Sequence, residues 1–370
     1  MTESATAGAG SATLLTTALG LAAEAPRLAV YRGAQTPREF DAQAVETAAL
    51  AQGAAAHDLG WLRRVAVRGE DRFRWLNGMV TNSVKDLGAH AGAWSLVLNS
   101  QGRIQGDLTI WRDEDQLEIV IAADQLEGLM KHLEHFIIMD DVELLPLGEE
   151  PGGEETALGL SGPEADAVLE RMGLPALAEP MTGTREEWNG LNLRITRNHG
   201  PLTPHYEIWT QAAGVTRLWR TLSTAGAVPV GSETLDAFRI AEGVPLYGVD
   251  MAERDLPQET SQMRALHFNK GCYLGQEIVE RIRSRGNVHR HLRQLELEGP
   301  VPAAGTELTL DGAQAGRITS ATGLKLALGT RVFALAMMRS EAEGRNEAMN
   351  YSTGTDSGTA RLLAAPPALS

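Results

Sequence analysis

Cysteine is nearly absent from this sequence, since the 370 residues contain only Cys272. A single cysteine excludes an intrachain disulfide. It also excludes an iron–sulfur cluster or a structural zinc site made from this chain alone, because such sites take about four soft ligands. So little cysteine fits a reducing compartment. We therefore expect a cytoplasmic protein with no metal site of its own.

Long apolar runs are missing as well. No stretch reaches the roughly 18 apolar residues of a membrane span. No Lys or Arg precedes Arg27, so the basic start of a signal peptide is lacking. Positive charge is in deficit, because the net charge is −15. Such an acidic chain does not bind nucleic acid or anionic membranes non-specifically. We expect neither as a partner.

The acidic chain contains one basic island. Between Arg264 and Arg293, seven Lys or Arg residues stand against two Glu residues, a local balance of +5. Only Phe268 and Tyr273 interleave with these charges, which gives little support for stacking on nucleic-acid bases. The island indicates either a binding site for a defined anionic ligand or a solvated helix face, and charge alone does not separate the two.

The cysteine lies within this island, in the run Lys270-Gly271-Cys272-Tyr273-Leu274-Gly275-Gln276-Glu277, which we call the cysteine motif. Its glycines allow close approach of backbone to a ligand, and nearby cations stabilise a thiolate. A buried inert cysteine usually stands in an apolar run, and Cys272 does not. We expect a functional thiol. Its role stays open between a nucleophile, a metal or cluster ligand and a redox-sensitive group.

Hydrophobic patterning predicts an α+β fold. Strand Leu62–Val67, helix Arg72–Met79 and strands Ala93–Leu98 and Ile104–Trp111 come in an order typical of an antiparallel sheet covered by helices on one side. We predict five regions: a disordered or variable extension over 1–54, a first α+β lobe over 55–148, a second over 154–290 with the cysteine motif, a β-barrel module over 291–340 and a flexible tail over 341–370.

Several segments together resemble the YgfZ family, which are folate-binding proteins related to the glycine-cleavage aminomethyltransferase GcvT and linked to iron–sulfur enzyme maturation. Besides the cysteine motif, the similar segments are Ala55–Val84, Asn99–Trp111, Glu233–Met251, Leu256–Glu259, Gly316–Gly323 and Arg331–Arg339. The resemblance implies ferredoxin-like α+β lobes and a small C-terminal β-barrel around a central hole. That hole would receive tetrahydrofolate in mono- or polyglutamylated form.

The resemblance also implies positions for folate contacts. Gly106-Asp107 matches a pair of acidic residues in aminomethyltransferases, so one carboxylate is missing and Asp107 is either a folate contact or a turn residue. Glu207 matches a carboxylate that holds the pterin, whose 2-amino and N3–H groups are adjacent donors. The alternative for Glu207 is an exposed strand residue. Arg239 could pair with an acid of the ligand or with Asp236 or Glu242 on its own helix.

The remaining candidates lie in the cysteine motif. Cys272 is the candidate catalytic residue, and Lys270, Tyr273, Gln276 and Glu277 are candidate folate contacts. Lys270 and the arginines after Glu280 could receive the glutamate tail of a polyglutamylated folate, which would explain the basic island.

Three functions compete. The first is a tetrahydrofolate-binding accessory protein that supports assembly or repair of iron–sulfur proteins, including cluster-dependent tRNA-modifying enzymes. Its partners would be reduced folate and iron–sulfur proteins or their assembly machinery. The second is a folate-dependent aminomethyltransferase of glycine cleavage, against which Gly106 and the cysteine motif weigh. The third is a non-catalytic RNA- or protein-binding module that uses the basic island.

Overall fold

The structure is a computed structural model that describes residues 10–21, 27–114, 116–148, 150, 152–286 and 288–369. The chain forms two α+β lobes followed by a barrel. The first part contains α1 Leu14–Ala18, β1 Leu28–Tyr31, β2 Ala34–Pro37, α2 Gln43–Gln52, β3 Ala55–Asp58, β4 Leu62–Arg68, α3 Arg72–Met79, β5 Ala91–Leu98, β6 Ile104–Asp113, β7 Gln116–Ala122, α4 Ala123–Glu134 and β8 Glu143–Pro146.

The second lobe and the barrel complete the chain. The lobe contains β9 Glu155–Ser161, α5 Ala165–Arg171, β10 Thr182–Trp188, β11 Leu191–Asn198, β12 His205–Gln211, α6 Val215–Thr224, β13 Val228–Val230, α7 Ser232–Glu242 and α8 Gln276–Arg285. The barrel region contains β14 Arg290–Glu298, β15 Glu307–Leu310, β16 Ala313–Leu326, β17 Gly329–Arg339, α9 Ser340–Glu343, β18 Met349–Ser352 and β19 Ser357–Leu362.

One sheet runs through both lobes. Its strand order is β13-β3-β9-β12-β11-β10-β5-β6-β7-β4-β8. The two halves join where β10 pairs with β5 through Thr182 and Ala91. Alternation along β6 buries Leu108 and Ile110 in the first core with α3 and α4, and Tyr206 and Ile208 of β12 lie in the second core. The predicted α+β architecture is confirmed, and the two lobes share a sheet rather than having one each.

The C-terminal strands close a six-stranded barrel in the order β14-β17-β16-β15-β18-β19. The barrel prediction is therefore confirmed, but the flexible tail predicted from residue 341 differs from the structure. Strand β19 pairs with β18 and with β14. Its Ala360 and the Met349 and Tyr351 side chains of β18 are buried in the barrel core. Their Gly-, Ser- and Thr-rich surroundings concealed this alternation.

The extension predicted as disordered or variable also contains structure. Helix α2 packs through buried Leu50 into a core shared with α7 and the barrel strands. Glu46 on the same helix accepts hydrogen bonds from the backbone N–H groups of Phe40 and Asp41. Further upstream, Thr13 donates a hydrogen bond to buried Asp58. Residues 1–9 and 22–26 lie outside the described residues. Alanine-rich sequence indicates weak side-chain packing, but small residues also fit closely packed helices.

Charged residues concealed two of the elements that were not predicted, strand β10 and helix α8. Strand β10 has three consecutive charged residues, Arg185 to Glu187, which masked the strand pattern. Helix α8 begins directly after Gly275, whose φ of 80° ends the preceding loop, and its many charges left only a narrow apolar stripe around buried Val279. Within the described residues, no helix is both long and apolar enough to cross a membrane.

We expect Ala360→Asp to destabilise the protein by about 3–5 kcal/mol, because it places a carboxylate in the barrel core without a partner. Arg361→Asp on the exposed side of the same strand is the matched control, with an expected change within about 1 kcal/mol. Denaturant unfolding of both variants measures the difference. Equal stabilities would contradict the assignment of β19 to the barrel.

Candidate functional site

The cysteine motif docks on the turn between β5 and β6. A Cβ atom at Gly275 would lie 2.6 Å from the carbonyl oxygen of Asn99 and 3.0 Å from Cα of Gly102. Only glycine therefore permits this approach, and its positive φ is also a conformation that glycine adopts freely. Buried Tyr273 packs beside Leu96, Leu98 and other residues of this hairpin. The two motifs singled out in the sequence are thus neighbours.

Lys270 is a buried cation inside this interface. Its Nζ donates hydrogen bonds to the carbonyl oxygens of Val80 at 2.6 Å and Asn82 at 2.5 Å, and it lies 5.0 Å from the centre of the Tyr273 ring. Burial lowers the pKa of Lys270 to about 7. The ammonium group donates its hydrogen bonds to the backbone of residues 80–82, so it lies behind the site and does not face solvent.

Asn82, which Lys270 holds in place, bonds to two residues that line a cavity. Its Nδ2 donates to the carbonyl oxygens of Trp94 at 3.0 Å and Arg264 at 2.9 Å. The Arg264 guanidinium in turn lies 4.6 Å from the centre of the Trp94 ring. Lys270 therefore fixes Asn82, and Asn82 fixes the backbone of both members of this cation–π pair.

Trp94 and Arg264 lie on the wall of a cavity of about 330 Å³, which we call the Trp94 cavity. Burial lowers the pKa of Arg264 to about 10, and attraction to Asp107 and Glu242 partly offsets the effect. The polar side chains of the wall combine a cation, two imidazoles, an amide and a carboxylate with an aromatic face. The lining residues are Asn82, Ser83, Asp86, Leu87, Gly92, Ala93, Trp94, Met181, His199, Arg264 and His267.

Asp107 adjoins this cavity through Trp94. Its Oδ2 accepts a hydrogen bond from Trp94 Nε1 at 2.8 Å, and its Oδ1 accepts one from Gln125 Nε2 at 2.9 Å. Asp107 is half-buried, so it is neither a free solvent-facing residue nor a turn cap. It lies in strand β6 rather than in the turn.

Gly106 faces the opposite way from Asp107. A Cβ at this position would lie 2.8 Å from Gln125 Oε1 and 2.8 Å from Leu129 Cδ2 on helix α4. The carboxylate that is missing from the tandem pair would therefore point into the helix and not towards Trp94. Gln125, whose Oε1 lies in that space, also bonds to Asp107, because it accepts from the Asp107 N–H and donates to Asp107 Oδ1.

A second cavity of about 580 Å³ contains Arg239, and we call it the Tyr247 cavity. Arg239 pairs with Asp236 of its own helix at 2.8 Å, which is one of the predicted alternatives, and with Asp250 at 2.5 Å, which was not predicted. Glu242, the other predicted partner, pairs with His205 instead. Coulomb repulsion from Asp107 is among the smaller effects that raise the pKa of Tyr247 to about 12, after burial and Glu253. Asp107 thus interacts with Trp94 on the wall of one cavity and with Tyr247 on the wall of the other.

Glu207, in strand β12, is buried rather than exposed. Its carboxylate accepts hydrogen bonds from the Asn198 amide and from Trp209 Nε1, the latter at 3.2 Å. Burial raises its pKa despite these donors. Met181 packs against the cluster that contains Trp209 and also lines the Trp94 cavity, so it is common to the cavity wall and to the cluster beside Glu207.

The outer part of the cysteine motif is at the surface. Cys272 and Glu277 are exposed, and Gln276 is half-buried with its Oε1 accepting from the Tyr273 N–H at 3.3 Å. The basic island is divided by the fold. Arg290 pairs with Asp255 and Glu259, and Arg293 pairs with Glu343. It is therefore not one continuous cationic surface.

Sequence reasoning missed Trp94, His199 and Met181, and it counted Arg264 only as part of the basic island. Met181 carried no pattern at all. Its φ of 60° is unusual for a long side chain, and its backbone joins the lobes by bonding Arg197 and Gly92. One signal was available for His199, which lies in the same RNHGPLTPHYE run as Glu207.

Comparison with known proteins gives consistent relatives. The family model of the GCVT N-terminal domain matches residues 21–270. An aminomethyltransferase of Rubrobacter xylanophilus is 30% identical over 87% of this chain and 86% of its own length. The aminomethyltransferase of Thermus thermophilus is 27% identical over 86% of this chain and 89% of its own.

Two further comparisons add breadth. A chloroplastic protein of Arabidopsis thaliana, named only as a transferase, is 25% identical over 78% of this chain, which spans 66% of that relative's length. The crystal structure of the glycine cleavage system aminomethyltransferase T from Bartonella henselae superposes with a TM-score of 0.83 at 20% identity, covering 95% of this chain and 97% of that one. At this identity the likeness establishes the fold.

We expect Lys270→Met to lower stability at neutral pH by about 1–3 kcal/mol, because two buried carbonyl groups lose their donor. Since the pKa of Lys270 is lowered to about 7, its burial makes stability rise with pH from about 7 towards 10.5. The variant should lose that rise. Arg281→Met, at an exposed position of the same basic island, is the control. Denaturant titrations at several pH values measure both effects, and identical curves for the two variants would contradict this role of Lys270.

Proposed function

The chain belongs to the GCVT N-terminal domain family, and from that premise we propose that it binds a reduced folate in the Trp94 cavity and the adjoining Glu207 region. The observation that carries the proposal is the position of two carboxylates. Asp107 bonds to Trp94 on the cavity wall, and Glu207 bonds to Trp209, against whose cluster the cavity-lining Met181 packs. Both carboxylates are thus connected to the cavity wall, Asp107 through Trp94 and Glu207 through the cluster that Met181 contacts.

The Glu207 region suits a pterin. A buried carboxylate with a raised pKa gains most from a ligand that offers two adjacent N–H donors, as the 2-amino and N3–H groups of a pterin do. Asn198 Oδ1 is buried and has no hydrogen-bond partner among the described residues. It supplies a further acceptor next to Glu207, so the acceptors of this region match the N–H donors of a pterin. Rotation of the Met181 side chain would join this region to the cavity.

Arg264 replaces Lys270 as the candidate contact for a carboxylate of the glutamate tail. Its guanidinium faces the cavity, and none of the ion pairs found among the described residues involves it. The indole of Trp94 offers an aromatic face on the same wall. Lys270, Tyr273 and Gln276 would act indirectly in this arrangement, by holding the backbone of the site, and Arg239 would act from the neighbouring cavity.

We propose further that folate binding serves an accessory role in the assembly or repair of iron–sulfur proteins, including cluster-dependent tRNA-modifying enzymes. What supports this finer assignment is the cysteine motif and the accessibility of its thiol. Cys272 is exposed beside the docked hairpin, where a partner protein or its cluster could reach the sulfur. Glu277, exposed one turn away, would belong to the same contact surface.

One observation favours aminomethyl transfer as the second candidate. Because Gly106 faces helix α4, the missing member of the tandem acids would not have reached the Trp94 side, and Asp107 remains in place. The RNA-binding alternative loses support, since Arg290 and Arg293 of the basic island are already paired with carboxylates. Assay of glycine cleavage with a lipoyl carrier protein separates the first two functions.

Glu207→Gln should weaken binding of tetrahydrofolate by about 1–3 kcal/mol, which corresponds to roughly 5- to 150-fold in Kd, because a charge-assisted pair becomes a neutral one. Anaerobic calorimetric titration measures the loss. Glu187→Gln, at an exposed position of β10, is the control and should bind as the unaltered protein does. Equal affinity of both variants would remove Glu207 from the pterin site.

Cys272→Ala should abolish support of cluster-dependent enzymes in a complementation assay while leaving folate affinity unchanged, since the thiol lies at the surface away from the cavity lining. Ser284→Ala, also exposed, is the control and should complement fully. Full complementation by the Cys272 variant would show that the thiol has no part in the function.

A further inference from the structure

Four polar side chains form a continuous hydrogen-bonded chain beside the Glu207 region. Nε2 of His205 lies 2.9 Å from each oxygen of Glu242, and its Nδ1 lies 2.7 Å from Oγ of Ser161. The same Oγ lies 2.9 Å from Nε2 of His57. Glu242, Ser161 and His57 are buried, so water does not compete for these contacts.

The sheet register places the inner end of this chain next to Glu207. His57 pairs with Gly159, Gly159 with Glu207, and Glu207 with Thr196, so all four lie in one row and on one face. A Cβ at Gly159 would lie 1.9 Å from Cε1 of His57. The imidazole therefore occupies the space above this glycine, between its own strand and Glu207.

The Glu242 carboxylate and the charge state of His205 together set the direction of each hydrogen bond in the chain. A carboxylate only accepts, so Nε2 of His205 carries hydrogen and its Nδ1 is the variable position. When His205 is charged, Nδ1–H donates to Ser161, the Ser161 hydroxyl donates to His57 Nε2, and His57 carries its hydrogen on Nδ1. When His205 is neutral, each of these bonds reverses, and His57 carries its hydrogen on Nε2.

The surroundings favour the charged, doubly protonated form of His205 and the neutral form of His57. Burial disfavours the charge on His205, but attraction to and hydrogen bonding with Glu242 outweigh it and raise its pKa. Burial, with a smaller contribution from His205, lowers the pKa of His57 to about 3. The other groups that act on this end of the chain are His199 and Arg264. The backbone of Gly200 covers His205.

We propose that Glu242, His205, Ser161 and His57 form a proton-coupled relay, in which the gain or loss of one proton at His205 reverses the Ser161 hydrogen bond and changes His57 between its two neutral tautomers. Nδ1 of His57 is buried and has no hydrogen-bond partner among the described residues. The relay thus determines whether a donor or an acceptor stands at this edge of the ring, in the row that contains Glu207.

The outer end of the relay senses charge in the Trp94 cavity. Glu242 interacts electrostatically with Arg264 and His199, and both line that cavity. An anion bound beside Arg264 would therefore change the proton affinity of His205. This coupling depends on the charge of the occupant and holds whether or not the occupant is a folate.

The test is histidine ring NMR of the full chain labelled with ¹⁵N-histidine, across about pH 5 to 9. His57→Gln and His205→Gln identify the two residues among the nine histidines. We expect the titration midpoint of His205 to lie above that of a free imidazole. We expect His57 to stay neutral while its Nδ1 and Nε2 signals exchange character with the same midpoint.

Ser161→Ala should leave His205 titrating and make His57 insensitive to it. Thr196→Val, which removes another buried hydroxyl on the same sheet face, should leave the coupling intact. If Ser161→Ala does not fold, Glu242→Gln serves instead, and the midpoints of His205 and His57 should fall together. A constant His57 tautomer in the unaltered protein, or midpoints that separate in the Glu242 variant, would overturn the relay.

Discussion

A buried ammonium holds the candidate site together. Lys270 donates to two backbone carbonyls that lie 190 and 188 residues earlier in the chain, and few other side chains combine this reach with this charge. The two carbonyl dipoles and the Tyr273 ring offset only part of the desolvation of the cation, and its pKa therefore stays low, at about 7. Through Asn82 the same contact fixes Trp94 and Arg264. The cysteine motif is therefore first a positioning element, and its thiol is carried on the outer surface of that element.

The fold could largely be predicted because its signals are local. Helix α3 was predicted with the observed bounds, and Gly243 ends α7 with a φ of 75°, as a glycine after a helix should. The closing barrel strands could not be predicted, because their burial depends on pairing with β14 and β15 rather than on strong hydrophobicity. Charged residues concealed β10 and α8, because they interrupt the hydrophobic pattern of each element.

The site could be predicted only in part. Of the two acids that the resemblance indicated, Asp107 bonds to Trp94 on the wall of the Trp94 cavity, and Glu207 is buried and bonds to Trp209. Sequence gave no sign that Lys270 would point inward or that Arg264 would stack on Trp94, because both contacts join segments far apart in the chain. The absence of a carboxylate at Gly106 stays a prediction about function, to which the structure adds that a side chain there would meet Gln125 and Leu129 of helix α4.

We propose that the Trp94 cavity and the Glu207 region form one binding site, and a crystal structure of the reduced protein with tetrahydrofolate tests this most directly. We expect the pterin to bond to Glu207 and Asn198, with Met181 turned aside, and the glutamate carboxylates to lie near Arg264. A folate bound only in the Tyr247 cavity, with Glu207 still bonded to Asn198 and Trp209 alone, would contradict the account.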